Sequence, residues 1–488
     1  MRNLSLLTGQ APINAPDSDK LHEECAVFGV SISNTTDYAE AAGITYNALL
    51  AMQHRGQEGA GIATCSGNAI TCHKNVGLVD DVFTSEVLMG YPKSKAGVGH
   101  ARYSTTGSNT TQNVQPFVTE FLTGRIATVH NGNVTNAREI KEKLEPFGLD
   151  FSATSDSEVI SSLIAYKTLK AGNLLDGAKA AAKLLVGAFS LVILSGDGKI
   201  VALRDPNGYR PLCIGENETG MAVASETCAL DSCGFRFVRD VKPGEILLIE
   251  NGRIRHSEIY SIAPRKSLCV FEYIYFARPD SVIDDLSVYE ARLNMGRMLA
   301  KEHPVDADLV CGVPNSGLEA AMGYARESGI RYGLAFVKNN YIGRSFIFPT
   351  QAQRENAVRL KLNPLAASVK GKRIVLVDDS IVRGTTCAKT IASLRSAGAK
   401  EIHMRISSPP FVHTCYFGTD IGSEKNLIAN RLSIEEIRRK IGADSLGYIS
   451  VDGLMEACQG SALELCTGCF TGDYATKIQA ADKLEMEQ

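Results

Sequence analysis

The sequence predicts a protein of mixed α/β and α+β class, with stacked antiparallel sheets in its first half and a parallel sheet in its second. Up to about residue 260, strand-like segments such as "RIATVHNGN" and "GEILLIENGRI" alternate with turns rich in glycine and asparagine, which is typical of antiparallel sheets. From residue 308 onward, apolar segments such as "RIVLVDD" alternate with helical segments such as "TTCAKTIASLRSAG". That alternation predicts right-handed crossover units on a parallel sheet.

Composition and charge limit what this chain of 488 residues is expected to bind. A content of 44% hydrophobic and 22% charged residues is ordinary for a globular protein with several domains. The 51 basic residues nearly balance the 54 acidic ones, so we expect neither nucleic acid nor a membrane surface as partner. No window approaches the roughly 18 consecutive apolar residues of a membrane helix, and the polar N-terminal segment predicts neither a secretory signal nor an anchor.

The thirteen cysteines are scattered, odd in number and set in a long chain without a signal. This usage predicts reduced thiols in the cytoplasm, some of which can be ligands or nucleophiles. Cys25 precedes the apolar segment "AVFGV". Taken alone, this position is typical of a buried structural cysteine. Cys466 and Cys469 have the spacing of metal ligands, but a single CxxC leaves zinc, an iron–sulfur cluster, a redox pair and unligated thiols all open.

The strongest local signal is "KRIVLVDDSIVRGTTCAKTIASL", residues 372–394. Asp378 and Asp379 end an apolar segment that suits a buried parallel strand, and ligands of open parallel sheets bind at that end. The following turn is rich in hydroxyl groups, contains Gly384 and opens a helix near Thr385, where backbone N–H groups can bind phosphate. Carboxylates beside a phosphate loop predict a sugar-phosphate site. Phosphoacceptor and Walker-B-like sites also follow apolar strands, but they lack the Arg-Gly-Thr-Thr turn.

This segment resembles the phosphoribosylpyrophosphate (PRPP) signature of type I phosphoribosyltransferases. The resemblance to one family, the glutamine PRPP amidotransferases, covers nearly the whole chain from Cys25. In the family's order, the further blocks that carry it are ECAVFGV, QHRGQEGAGI, GHARYSTTG, HNGNVTN, TSDSEV, RDPNGYRPL, ASETCALD, KPGE, EYIYFARPDS, KNNYIGRSFI and CFTGDY. The resemblance implies a propeptide at 1–24, an N-terminal-nucleophile glutaminase domain of αββα architecture at 25–260, and a type I phosphoribosyltransferase domain at 268–488.

The resemblance also implies the activity of an amidophosphoribosyltransferase. Cys25 would become the first residue after propeptide removal and attack the carboxamide of glutamine. The ammonia would pass through an internal channel to PRPP, giving 5-phosphoribosylamine, glutamate and pyrophosphate in the first committed step of purine biosynthesis. An α-amino group has a pKa of about 7.7 to 8.0, so a neutral N-terminal amine can serve as the base for the thiol.

The remaining glutaminase residues follow from the resemblance. Asn131 and Gly132 would form the oxyanion hole. Arg102 would hold the α-carboxylate of glutamine, and Asp156 would pair with its α-ammonium group. From sequence alone, "NGN" also suits a hairpin turn, Arg102 a surface charge and Asp156 a helix N-cap. The joint occurrence of these residues in the family's order favours the functional interpretation.

The resemblance places PRPP and Mg²⁺ in the second half of the chain. Asp378 and Asp379 match the contacts to the ribose and Mg²⁺, and Ser316 lies near the metal in the pyrophosphate loop "GVPNSG". Asn315 stands in that loop where many relatives have Asp. The residues that match the loop for the 5-phosphate are Ser380, Arg383, Gly384, Thr385 and Thr386.

The segment "KNNYIGRSFI", residues 338–347, matches the family's flexible catalytic loop. Lys338 and Arg344 would offset charge on the leaving pyrophosphate. Asn340 stands where many relatives have Arg, so the contacts of this loop with pyrophosphate are less defined than the fold.

The resemblance assigns four cysteines to a cofactor. One branch of the family carries a 4Fe-4S cluster on four cysteines and another branch lacks them; this chain has Cys269, Cys415, Cys466 and Cys469. The other thiols are interpreted as structural, apart from Cys25: they are Cys65, Cys72, Cys213, Cys228, Cys233, Cys311, Cys387 and Cys458.

The family resemblance further suggests a homotetramer inhibited by purine nucleotides. Two other functions compete with this interpretation. A hexosamine-forming amidotransferase would share the first half of the chain but not the "VDDSIVRGTT" block. A regulator that senses PRPP with a phosphoribosyltransferase fold and binds DNA or RNA is the second, but the net charge of -3 and the complete set of glutaminase residues weigh against it.

Overall fold

The structure is a computed structural model that describes residues 25–36, 40–103, 110–339, 362–419, 421 and 423–477. In these ranges, antiparallel sheets are followed by a parallel sheet, so the predicted fold class is confirmed. The predicted propeptide at 1–24, Asn340 and Arg344 lie outside the described residues.

The N-terminal half, residues 25–260, contains two antiparallel sheets stacked face to face. Their strands are β1 (Ala26–Ile32), β2 (Gly59–Ser66), β3 (Ala69–Val76), β4 (Ala96–Arg102), β5 (Phe117–Phe121), β6 (Gly124–Val134), β7 (Gly187–Ser195), β8 (Ile200–Arg204), β9 (Cys213–Asn217), β10 (Gly220–Ala224), β11 (Arg236–Asp240), β12 (Glu245–Glu250) and β13 (Arg253–Ile259). One sheet has the order β11-β9-β10-β1-β4-β2-β3 and the other the order β13-β12-β8-β7-β6-β5. Val27, Val98, Val129 and Val192 are fully buried between the sheets and fill this apolar layer.

Helices cover the outer faces of both sheets and complete the αββα arrangement. They are α1 (Ala41–Ala51), α2 (Val79–Val82), α3 (Ser85–Met89), α4 (Ala137–Leu144), α5 (Asp156–Ala171), α6 (Leu174–Ala182) and α7 (Thr227–Ser232). Leu49 of α1 and Leu230 of α7 pack on the outside of the first sheet. Ile160 of α5 and Ala178 of α6 pack on the outside of the second. The outer faces of both sheets are therefore covered by helices.

The C-terminal half, from residue 268, is built on a parallel sheet of order β17-β20-β21-β22. Its elements are β14 (Leu268–Cys269), a π-helix (Glu272–Phe276), β15 (Val282–Ile283), β16 (Leu286–Ser287), α8 (Val288–Glu302), β17 (Leu309–Gly312), α9 (Leu318–Ser328), β18 (Phe336–Lys338), β19 (Leu362–Pro364), α10 (Ala366–Val369), β20 (Arg373–Asp378), α11 (Thr385–Ser396), β21 (Glu401–Ile406), α12 (Ile434–Ile441), β22 (Ser445–Tyr448), α13 (Val451–Ala457), β23 (Leu465–Cys466) and α14 (Gly468–Thr471). Residues 374–377 of β20 are fully buried, as a parallel strand covered on both faces requires.

The junction between the halves runs from the end of β13 at Ile259 to the start of β14 at Leu268, without a helix or strand. β14 pairs in parallel with β23, which lies almost 200 residues later in the chain. The exact limits of the two predicted domains stay a prediction. None of the helices in the described ranges is long and apolar enough to cross a membrane.

Candidate active sites

Cys25 lies at the start of β1, at one end of the first sheet. Its thiol is half-buried and donates a long hydrogen bond, 3.5 Å from Sγ to the carbonyl oxygen of Tyr103. The register that pairs Ala26 with Ala101 of β4 brings the two chain segments together. The carbonyl oxygen of Cys25 accepts a hydrogen bond from Arg55 Nε at 3.2 Å. The backbone of the predicted nucleophile is thus held from the side of Arg55.

Arg102 is the last residue of β4 and is only 3% exposed, so its interpretation as a surface charge is wrong. Burial lowers the pKa of its guanidinium, while the nearby groups of Cys25 and Glu58 act in the opposite direction. A buried cation within electrostatic reach of the Cys25 thiol suits the binding of a substrate carboxylate.

Asn131 and Gly132 lie inside β6, opposite Ser190 and Phe189 of β7, so their interpretation as a hairpin turn is wrong. Asn131 is 1% exposed, and neither its Nδ2 nor its Oδ1 has a hydrogen-bond partner among the described residues. Gly132 has φ +140°, and a Cβ there would lie 2.1 Å from the carbonyl oxygen of Ala188. Burying an amide without a hydrogen-bond partner costs free energy. A bound ligand that forms hydrogen bonds with this amide would remove that cost.

Asp156 is the first residue of α5, and its interpretation as the N-cap is wrong because Ser155 holds that position. The side chain of Ser155 accepts a hydrogen bond from the backbone N–H of Ser157. Asp156 Oδ2 instead accepts the backbone N–H of Val134 at 3.0 Å. The start of α5 is thereby tied to the end of β6, two residues beyond Gly132.

A buried polar network behind Asn131 was not predicted from the sequence. Gln115 Oε1 accepts the backbone N–H of His130 at 2.6 Å, and Gln115 Nε2 donates to Ser157 Oγ at 3.1 Å. His100 Nε2 lies 3.1 Å from the carbonyl oxygen of His130. Burial, followed by the charge of Arg102, lowers the pKa of His100 to about 3, so its ring stays neutral. The only sequence signal was the presence of two histidines in otherwise apolar strand segments.

The acidic pair of the C-terminal half lies where β20 ends. Asp378 is the last residue of the strand and Asp379 the first beyond it, and they are 5% and 3% exposed. Asp378 Oδ1 accepts the Ser316 hydroxyl at 3.4 Å and the Asp379 backbone N–H at 3.0 Å. Asp379 Oδ1 accepts the Ser380 hydroxyl, whereas Asp379 Oδ2 has no hydrogen-bond partner within the described part of the chain.

The predicted pyrophosphate loop packs against the same strand end. The backbone N–H of Val313 donates to the carbonyl oxygen of Val377 at 2.8 Å. Gly317 allows this approach, since a Cβ there would lie 2.2 Å from the same oxygen. Asn315 lies in this loop and follows Pro314 through a cis peptide bond. The packing of the loop against the end of β20 holds Ser316 beside Asp378.

The predicted 5-phosphate loop leads into α11, which begins at Thr385 as expected. Gly384 is its N-cap residue and has φ +86°, a conformation that favours glycine. Arg383 and Thr386 are half-buried, whereas Thr385 is exposed. Backbone N–H groups at this helix start lie just beyond the acidic pair and suit a phosphate.

Lys338 is the last residue of β18 and pairs with Leu362 at the start of β19. The two-stranded sheet thus fixes both ends of the segment that contains the predicted catalytic loop. Arg344 lies outside the described residues.

Two of the four predicted cluster ligands are paired where β14 meets β23, and all of the other three lie within electrostatic reach of Cys469. Cys269 and Cys466 are direct partners across the two strands. Burial, followed by Cys415, Cys269 and Cys466, raises the pKa of Cys469 well above that of a free thiol. None of the thirteen cysteines forms a disulfide. In the described ranges, no group of three or more His, Cys, Asp or Glu side chains is arranged to hold a metal ion.

Two family models match the chain: a glutamine amidotransferase domain over residues 100–232 and a phosphoribosyl transferase domain over residues 291–407. Together with the fold, they define a glutamine amidotransferase joined to a phosphoribosyltransferase. The chain is 48% identical to the amidophosphoribosyltransferase of Synechocystis sp., over 98% of this chain and 96% of that protein. It is 46% identical to the Bacillus subtilis enzyme, over 94% and 95% of the two chains. The chain belongs to the amidophosphoribosyltransferase family.

Solved structures agree with this membership. The glutamine PRPP amidotransferase from B. subtilis, in complex with ADP and GMP, matches with a TM-score of 0.86 and 44% identity, over 95% of this chain and 100% of that chain. The activity is the glutamine-dependent amination of PRPP, a pentosyl transfer in purine biosynthesis, which confirms the function predicted from the sequence. Relatives of this kind give no support to a regulator that only senses PRPP.

Proposed function

We propose that the N-terminal half releases ammonia from glutamine at Cys25 and that the C-terminal half uses this ammonia on PRPP bound at Asp378 and Asp379. The observation that carries this proposal is a pair of buried polar groups that lack partners in the described ranges. They are the side-chain amide of Asn131 and the Oδ2 of Asp379. In the proposed reaction, a substrate or ion supplies the missing partner of each group.

In the first half-reaction, removal of residues 1–24 frees the α-amine of Cys25, which takes the thiol proton. The thiolate sulfur bonds to the amide carbon of glutamine, and the oxyanion accepts hydrogen bonds from the Asn131 amide and the Gly132 backbone N–H. The C–N bond then breaks as the amine returns its proton to the leaving ammonia. Water hydrolyses the resulting thioester to glutamate. Arg102 and Asp156 hold the α-carboxylate and α-ammonium groups of the substrate.

In the second half-reaction, ammonia bonds to C1 of the ribose and the C1–O bond to pyrophosphate breaks. The ammonium group formed on C1 then loses one proton to water or to the pyrophosphate, which gives 5-phosphoribosylamine. Ammonia in bulk water would be protonated and lose its nucleophilicity, so we propose that it travels through a closed interior passage. Lys338 and Arg344 would offset charge on the departing pyrophosphate, while Ser380, Arg383, Gly384, Thr385 and Thr386 bind the 5-phosphate.

Mg²⁺ fits the residues at the end of β20, because hard cations prefer carboxylate and hydroxyl oxygens and keep several waters. Asp378, Asp379 and Ser316 would hold it together with PRPP. The unpartnered Oδ2 of Asp379 supports this assignment. When bound, the ion would neutralise charge on the pyrophosphate.

The proposed function is tested by measuring glutamate and pyrophosphate together. With glutamine, PRPP and Mg²⁺, we expect the two products to form in equal amounts, and the intact mass of active protein should correspond to a chain that begins at Cys25. Glutamate release that PRPP does not stimulate, without pyrophosphate, would contradict the coupling of the two sites. Full activity of an uncleaved chain would contradict the role of the α-amine.

We propose that Cys269, Cys415, Cys466 and Cys469 bind a 4Fe-4S cluster. Four cysteine thiolates are the usual ligands of such clusters, and the proposal is supported by the pairing of Cys269 with Cys466, which are far apart in the sequence. Anaerobically purified protein should be brown and contain about four irons and four sulfides per chain. Colourless protein with one zinc per chain would instead favour a structural zinc site.

Regulation and assembly are further parts of this proposal. The B. subtilis structure is a complex with ADP and GMP, and we propose that purine nucleotides bind and inhibit this chain as well. We further propose a homotetramer in the cytoplasm, where its thiols remain reduced. Light scattering should give four times the mass of one chain, and added GMP should lower the rate of pyrophosphate release.

A further inference from the structure

A fully buried charge network joins the two halves directly behind Cys25. Arg55 lies in the turn between α1 and β2 and has no solvent exposure, and neither has Glu226 or Glu272. Glu226 precedes α7 in the N-terminal half, whereas Glu272 is the first residue of the π-helix in the C-terminal half. Arg55 contacts both carboxylates and the backbone of Cys25.

The guanidinium of Arg55 is held mainly by Glu272. Its two terminal nitrogens each lie 2.8 Å from one oxygen of Glu272, while Nη1 also lies 2.7 Å from Glu226 Oε1. The third nitrogen, Nε, donates to the carbonyl oxygen of Cys25 at 3.2 Å. Because the guanidinium is rigid and planar, fixing two of its nitrogens fixes the direction of the third.

Glu272 is itself fixed from the other side. Its Oε1 lies 3.4 Å from Nη1 of Arg210, and Arg210 donates to the carbonyl oxygen of Phe417 through Nε at 3.2 Å and Nη2 at 2.7 Å. Burial would lower the pKa of Arg55, but Glu272 and Glu226 outweigh it and raise that pKa well above its usual value. Arg55 therefore stays charged near neutral pH.

We propose that Glu272 is a positioning residue for the glutaminase centre, supplied by the C-terminal half. It orients Arg55, which holds the carbonyl of Cys25 and so sets the direction of both the α-amine and the thiol of that residue. The inference rests on the proposed role of Cys25 as nucleophile. It means that the glutaminase centre is geometrically complete only when the C-terminal half is docked against it.

Glu272→Gln tests this role, because the substitution keeps the size and one acceptor of the side chain but removes its charge. We expect kcat for glutamine-dependent synthesis to fall about tenfold or more, with KM for glutamine changed less than about threefold. Ammonia-dependent synthesis should stay within about twofold of the wild type. A merely structural role would have the opposite signature, since Glu272 belongs to the half that performs the ammonia-dependent reaction.

A matched control removes another buried ion pair between the halves. Asp284 of the C-terminal half pairs with Arg204 through two contacts, at 3.0 and 2.8 Å, without touching Cys25. Asp284→Asn should leave the ratio of glutamine- to ammonia-dependent activity unchanged, even if the protein becomes less stable.

A double variant tests whether Arg55 and Glu272 act together. The variant that combines Arg55→Lys with Glu272→Gln should be no slower than the slower single variant, because both residues act through one chain of contacts.

Several outcomes would overturn the proposal. One is an unchanged activity ratio in Glu272→Gln, and another is a fully additive double variant. If the Glu272→Gln variant fails to fold, Glu272→Asp is measured instead, because it keeps the charge and shortens the side chain. Loss of ammonia-dependent synthesis in both Glu272 variants would show a structural role and would also overturn the proposal. Cys25→Ser in the same assay separates the two hypotheses: if it keeps glutamine activity, the proposed function itself fails.

Discussion

Gly132, which has no side chain, allows a close approach of two strands beside Asn131. Gly132 has φ +140°, and a Cβ would lie 2.1 Å from the carbonyl oxygen of Ala188 on the neighbouring strand. An alanine there has to displace either β6 or β7. The peptide N–H of Gly132, which we propose as an oxyanion donor, would move with the strand.

We therefore expect Gly132→Ala to lower glutamine-dependent kcat by about 10² to 10³, the usual cost of one oxyanion donor, while ammonia-dependent synthesis persists. Steady-state kinetics with both nitrogen donors measures this. Gly148→Ala is the matched control, because Gly148 also has a positive φ of +79° but nothing lies within 4 Å of its added Cβ. An equal loss of glutamine activity in both variants would contradict the proposal for Gly132.

The unpartnered oxygen of Asp379 makes a corresponding prediction for the PRPP site. Asp379→Asn should lower kcat/KM for PRPP about ten- to a hundredfold, since a charged hydrogen bond contributes about 1.5 to 3 kcal/mol. The loss should be the same with glutamine and with ammonia, and glutamine hydrolysis without PRPP should survive. Asp306→Asn, with a side chain 87% exposed in the same half, should change neither activity. Normal ammonia-dependent kinetics in Asp379→Asn would exclude this residue from the PRPP site.

The identity of these residues was predictable from short motifs, but their surroundings were not. Arg102 and Asn131 stand in motifs that the sequence displays, yet their burial depends on strand pairing across the two sheets. The contacts of Gln115 with His130 and Ser157 join three separate segments of the chain. No local pattern encodes such partners, because each residue is also acceptable on a polar surface.

At the level of elements, β20 and α11 were predicted well because their signals are local. A fully apolar strand segment precedes the loop between β20 and α11, and a glycine before a run of helix-forming residues ends it. β14, β23 and the π-helix at Glu272–Phe276 were missed. Strands of two residues carry no alternating pattern, and their pairing depends on residues far apart in sequence.

We expect the proposed cluster to strengthen the pairing of β14 with β23, because strands of two residues form few ladder hydrogen bonds of their own. Removing the iron from anaerobically purified protein should increase hydrogen exchange at residues 268–270 and 465–467. The amides of β20 provide an internal reference that should not change. Unchanged exchange around Cys269 and Cys466 after complete iron removal would contradict a cluster at these residues.

At the level of the whole molecule, Asp240 of the N-terminal half and Asp284 of the C-terminal half lie close together at the junction of the halves. Asp240, at the end of β11, accepts the backbone N–H of Asp284 at 3.1 Å, and Arg204 pairs with Asp284 close by. Burial, followed by the charge of Asp284, raises the pKa of Asp240 to about 7, whereas Arg204 acts in the opposite direction. The unfolded value is about 3.9.

This shift predicts how stability depends on pH. Between about pH 4 and 7 the folded state binds the Asp240 proton more tightly than the unfolded state, so the free energy of unfolding falls as pH rises through this window. Asp240→Asn should remove about 1 to 3 kcal/mol of that fall between pH 5 and 8, measured by urea unfolding. Asp80→Asn, at an exposed position of α2, should retain the wild-type pH profile. An equally steep fall in Asp240→Asn would contradict the assignment.

The central claim is that one chain makes ammonia at Cys25 and consumes it at Asp378 and Asp379. The most direct test is pyrophosphate release by Cys25→Ser, measured with glutamine and with ammonia as the nitrogen donor. We expect no release above background with glutamine and nearly the wild-type rate with ammonia, because the PRPP site does not need the thiol. Undiminished release with glutamine would contradict the account, and so would loss of both reactions in a folded variant.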